Sequence, residues 1–164
     1  MSSFDIRSIQ QFGQVGIAVN DVEAAAAFME KAFGIKLFVL TMPEARATLR
    51  GMEIRFVTKI AIGRVGAVDI ELMQIMEGDH IVKEFLERRG PGIHHLGIYV
   101  DDLNAAVAEW EREGGKVVQR TAHPDGIGTA YLDTEKDLGT MYIEIIQLTK
   151  PAGEKRLGTI RQGW

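Results

Sequence analysis

Two short runs, "IELMQI" at residues 70 to 75 and "IEIIQL" at residues 143 to 148, each set a carboxylate, Glu71 and Glu144, among apolar neighbours. Two further runs, "QVGIAV" and "HLGIYV", alternate in the same way and each begin with a polar residue, Gln14 and His95. Alternate side chains of a strand point to opposite faces, so Val15, Ile17 and Val19 share one face while Gln14, Gly16 and Ala18 share the other. In the second run Leu96, Ile98 and Val100 oppose His95, Gly97 and Tyr99 in the same manner. Two carboxylates brought together away from water repel each other and lose hydration, which is costly unless a cation lies between them. A divalent metal is the simplest such cation. Three oxygens and one nitrogen suit a hard or borderline ion in six-coordination, one Co, Mn, Ni, Mg or Zn per chain, with two positions left for a substrate. A Lewis acid of that kind stabilises the charge that develops when a proton leaves carbon beside a carbonyl.

An internal repeat supplies the elements that must position these groups. Residues 14 to 34 align with 95 to 115 at a constant offset of 81, with identities that include Gly16/Gly97, Asp21/Asp102, Ala24/Ala105 and Gly34/Gly115. The two glutamates are offset by 73, so the second copy is shorter between its first and last strands. Each copy reads β-α-β-β-β. In the first, a strand over "QVGIAV" leads to a helix capped by Asn20 or Asp21 and stopped at Gly34, then to strands over "IKLFVLT", "GMEIRFVTKIAIG" and "AVDIELMQI". The second repeats this with "HLGIYV", a helix from Leu103 to Glu113, "KVVQR", "GTAYLDT" and "TMYIEIIQL". The expected fold class is α+β: tandem βαβββ modules making a cupped, partly closed sheet around a metal-binding cleft. One domain spans 1–149, with module one at 12–76, a linker helix at 79–90 and module two at 94–149; residues 150–164 form a C-terminal extension. A pseudo-two-fold axis relating the modules would gather Gln14, Glu71, His95 and Glu144. Parity and the offset of 81 both select His95 over His94. His80 reads as a solvated cap at the head of the linker helix, and His123 in "AHPDGIG" as a loop residue; neither lies on the parity pattern.

Composition narrows the partners. The chain has 164 residues, 46% hydrophobic and 26% charged, which suits one packed domain. Its formal net charge of −4, with no clustered basic face, gives no reason to expect nucleic acid. There is no cysteine, which excludes disulfides, thiolate nucleophiles and sulfur-ligated metals. The stretch "MSSFDIRSIQQFG" lacks a basic region followed by an apolar run, and no apolar stretch approaches the ~20 residues that span a bilayer. A cytoplasmic protein with no membrane contact is expected. Open four-stranded sheets have edges to cover, so a homodimer is expected too.

The paired modules, with "GQVGIAVNDVEAA", "IELMQ", "FLERRGPGIHHLGIYVDDLNAAV" and "YIEII" in this order, resemble the vicinal oxygen chelate superfamily over roughly residues 12 to 149. Within it the helix running into "RGPGIHH" and then "VDD" is most similar to the methylmalonyl-CoA epimerases. The resemblance implies one metal held by the first and last strand of each module, which maps onto Gln14, Glu71, His95 and Glu144. It implies a base at Glu144 and, from a glutamate on the third strand, a second base at Glu53, which parity sets opposite Met52, Ile54 and Phe56. Epimerases usually carry histidine at the first metal position, where this chain has Gln14; the set Gln/Glu/His/Glu is that of one class of lactoylglutathione lyases. The implied activities are therefore an epimerase or isomerase acting on a small substrate with neighbouring oxygens, such as a CoA thioester, a glutathione-dependent lyase, or a non-catalytic binding protein of the same fold.

Overall fold

The computed structural model describes residue 9 and residues 12–123 and 126–148. The expected C-terminal extension lies outside the described residues. In chain order the elements are β1 (Gln14–Ala18), α1 (Val22–Phe33), β2 (Phe38–Thr41), β3 (Ala45–Leu49), β4 (Met52–Val65), β5 (Val68–Gly78), α2 (Ile81–Arg89), β6 (Gly92–Val100), α3 (Leu103–Arg112), β7 (Val117–Ala122), β8 (Gly128–Leu132), α4 (Glu135–Leu138) and β9 (Tyr142–Gln147).

The expected curved sheet is present, and it closes on itself. Running β4-β3-β7-β8-β9-β6-β1-β5 and back to β4, eight strands make a ring, with β2 added to β4. Two seams join the modules. At one, β1 and β6 run antiparallel, with Gly16 opposite His95 and Gln14 opposite Gly97. At the other, β3 pairs antiparallel with β7 from Arg46 opposite Ala122 to Leu49 opposite Gln119. Strand β3, over "ARATL", is absent from the sequence-based assignment because Pro43 and two arginines mask its alternation. It is the counterpart of β7, the role that sequence had given to "IKLFVLT". That segment instead forms the short extra strand β2, which pairs with β4 beyond β3 along the same edge. The edges that each module by itself would leave open at β3 and β7 are thus paired within the chain.

Helices α1 and α3 lie outside the ring. Asp21 and Asp102 cap them, each accepting a hydrogen bond from the backbone three residues on, Ala24 N and Ala105 N. The repeated strands supply a second clamp: Gln74 Oε1 accepts from Val22 N at 3.1 Å and Gln147 Oε1 from Leu103 N at 2.8 Å. The glutamine in "IELMQ" and "IEIIQ" thus satisfies a first-turn N–H that a helix leaves open, while the glutamate three residues earlier faces the other way. Inside the ring, α2 buries Ile81, Val82 and Phe85 against side chains from both modules, among them Ala18, Met73, Leu49 and Tyr142. The linker helix plugs the barrel rather than merely joining its halves. Among the described residues no helix is long and apolar enough to cross a membrane.

Candidate metal centre

The interior face gathers the duplicated polar residues. Gln14 and His95 are fully buried, Glu144 is 4% exposed and Glu71 7% exposed. His95 Nε2 stands at the focus: Glu144 Oε2 lies 3.1 Å away, Gln14 Oε1 3.3 Å and Glu71 Oε2 3.7 Å. Ligand atoms of Glu71, His95 and Glu144 all lie within 4.8 Å of one another. Two glycines of the repeat make this possible. A Cβ at Gly16 would fall 1.9 Å from His95 Cε1, and one at Gly97 would fall 2.8 Å from Gln14 Cβ. Each module's strand leaves a gap that the other module's ligand side chain fills, which is why both positions require the residue without a side chain.

The electrostatics fit a cation-binding centre. Burial alone would push the His95 imidazolium down, but the charge and hydrogen bond of Glu144, joined by Glu71, outweigh it and raise the pKa to about 9. A proton on His95 thus supplies the positive charge that two buried carboxylates need. Gln14 turns its oxygen to this cluster, and its Nε2, buried, has no hydrogen-bond partner among the described residues. An amide so oriented presents an acceptor to the centre at the expense of its donor. Three oxygens and one imidazole nitrogen, buried and converging, fit a divalent ion. Behind His95, its Nδ1 lies 3.0 Å from Nδ1 of His94, which is fully buried. Burial and the neighbouring His95 hold the His94 pKa well below the ordinary range, leaving a neutral ring that can fix the orientation of its neighbour.

A narrow cavity of about 50 Å³ opens on the centre, lined by Gln14, Glu71 and Glu144 together with Met42, Phe56, Tyr131, His80 and His123. Glu53, expected as a second base, is not there. It is exposed on β4 and lines a separate groove with Arg46, Arg55 and Arg120. The reason is geometric: in a closed ring the interior is the core face, so the cavity is lined by Phe56, Thr58 and Ile60, and the opposite parity, Glu53 and Arg55, faces outward. His80 and His123 do reach the cavity. His80 caps α2, accepting from Val82 N at Nδ1, but it is 3% exposed rather than solvated. Nothing local in "GDHIVKEF" distinguishes a cap at the surface from one inside a barrel; α2 had first to be placed within the ring.

The profile of the glyoxalase/bleomycin resistance protein/dioxygenase superfamily matches residues 13–131, and the chain belongs to that superfamily. Its relatives include methylmalonyl-CoA epimerases. The human mitochondrial enzyme is 27% identical over 143 residues, covering 85% of this chain and 75% of that protein. Among solved structures, a variant of Streptomyces coelicolor methylmalonyl-CoA epimerase in complex with 2-nitronate-propionyl-CoA aligns with a TM-score of 0.61 at 22% identity, over 85% of this chain and 95% of that one. The epimerase from Mycobacterium tuberculosis aligns at 0.60 and 22%, over 91% and 99%.

Proposed function

We propose that this chain is a divalent-metal-dependent epimerase or isomerase that exchanges a carbon-bound proton in a small substrate with neighbouring oxygens, an acyl-CoA of the methylmalonyl type being the first candidate. The carrying observation is the convergence of Glu144, Gln14 and Glu71 on His95 Nε2 at the wall of a narrow cavity. Gln14, Glu71, His95 and Glu144 would hold the metal. When bound, the ion supplies the positive charge that makes a proton beside the chelating oxygens acidic. Glu144 is the base: its carboxylate lines the cavity and takes the proton at Oε1 or Oε2. With Glu53 outside the ring, return of a proton to the other face falls to Glu71, the pseudo-symmetric partner across His95. Thr58, Phe56 and the surrounding apolar wall exclude water, which strengthens every charge interaction within.

Support for the CoA ester comes from the epimerase relatives at 22–27% identity. The donor set Gln14/Glu71/His95/Glu144 favours a second reading, isomerisation of a glutathione hemithioacetal. One experiment weighs both. In D₂O, NMR of metal-loaded protein with methylmalonyl-CoA, α-hydroxy ketones or glutathione hemithioacetals should show deuterium entering the carbon beside the chelating oxygens. Binding of one of these compounds without metal-dependent exchange would replace the enzyme by a binding protein of the same fold.

A further inference from the structure

His80 belongs to neither module, yet it faces the same cavity as Gln14, Glu71 and Glu144. Its ring stands edge-on to Phe56 at 4.5 Å and to Tyr131 at 5.9 Å, so it is packed into one orientation. Its Nδ1 accepts the Val82 N–H at 3.1 Å to cap α2. An imidazole that accepts at Nδ1 carries its hydrogen on Nε2. The cap therefore fixes the tautomer, and among the hydrogen bonds of the described residues it is the one that the His80 side chain makes. What remains is an N–H on a ring that packing holds at the wall of the cavity. An oxygen-bearing occupant of the cavity would be placed to accept from it.

We propose that His80 is a further substrate-binding residue: its Nε2–H donates a hydrogen bond to a carboxylate or carbonyl oxygen of an anionic, two-oxygen substrate lodged between it and the metal centre. This rests on the reading of the cavity given above. Burial, with smaller contributions from His123 and His95, pushes the His80 pKa down to about 3. The ring thus stays neutral, a permanent donor that places no second positive charge beside the metal.

The test uses Zn²⁺-loaded protein and malonate, whose two carboxylates on one carbon mimic the substrate's oxygens. In His80→Asn the asparagine oxygen can still accept the Val82 N–H, since asparagine is among the best capping residues, while the imidazole N–H is gone. Calorimetry should give a malonate Kd weaker by about tenfold or more, the loss expected for a hydrogen bond to a charged group, with Zn²⁺ affinity unchanged. An unchanged malonate Kd overturns the proposal, and so does a parallel loss of Zn²⁺ affinity, which would make His80 a support of the metal centre. Should the variant fail to fold, ¹⁵N-histidine NMR of the parent protein decides: the Nε2–H resonance of His80 must move on adding malonate, and an unmoved resonance overturns the proposal. Malonate that does not bind the loaded protein overturns this proposal and leaves the isomerase to the deuterium-exchange test. A His80 resonance that answers malonate in a protein without deuterium exchange sinks the isomerase and leaves this inference standing.

Discussion

Metal binding should be driven by pH, because the metal must displace the proton that now occupies its place. His95 has its pKa raised from 6.5 to about 9 by Glu144 and Glu71 acting against burial. At pH 7 roughly one ring in a hundred is then deprotonated and able to bind, a penalty of about 2.7 kcal/mol. The apparent affinity for Co²⁺ or Mn²⁺ should rise about tenfold per pH unit from pH 6.5 to 8.5 and level off near pH 9, with about one proton released per ion. Calorimetry in buffers of differing ionisation enthalpy reads both quantities. An affinity flat over this range, or no proton released at pH 7.5, would refute the claim that His95 holds the centre's charge. The metal-free protein carries the same signature in its stability. A histidine whose folded pKa lies above its unfolded value stabilises fully below pH 6.5, and the contribution is lost as pH rises to about 9, on the order of 3 kcal/mol here. Urea unfolding at pH 6.5 and 9 should show that loss without metal and show it diminished with metal bound.

Replacing Glu144 with Gln keeps an oxygen for the metal but removes the base, so deuterium exchange should fall by about 10²–10⁴-fold; a variant with near-native exchange would move the base to another residue. Glu53→Gln, on the outer face, should leave exchange and metal affinity unchanged, and a loss of either would return Glu53 to the site. Gly16→Ala should expel the His95 ring, since the new Cβ would lie 1.9 Å from Cε1; loss of metal binding measured by elemental analysis is expected, and retention would contradict the packing described. His80 carries a pKa lowered to about 3, so it costs stability as pH falls from 6.5 toward 3, where the unfolded chain gains a proton that the folded one does not. The difference in unfolding free energy between parent and His80→Asn should therefore change across that window and stay constant above pH 7.

Much of the centre was legible from local chemistry. A strand's two-residue period decides which side chains share a face, and the duplication shows that the same parity occurs twice, so Gln14, Glu71, His95 and Glu144 could be grouped before any contact was known. The cap at Asp21, the stop at Gly34 and the choice of His95 over His94 follow from equally short-range rules. Closure of the ring is a different kind of fact. Pairing of β3 with β7 joins residues 70 to 76 positions apart, and no local pattern specifies it. Closure merges the cleft with the core, and that single change moves Glu53 to the outside because its parity now faces solvent. It also brings α2 into the barrel, carrying His80 from an apparent surface cap to the wall of the cavity. Sequence determined which side chains travel together on each strand, since covalent geometry sets that; the tertiary structure alone decided which face became the interior and which residues from the linker and loops reach it, because those depend on contacts between segments that propensity does not connect.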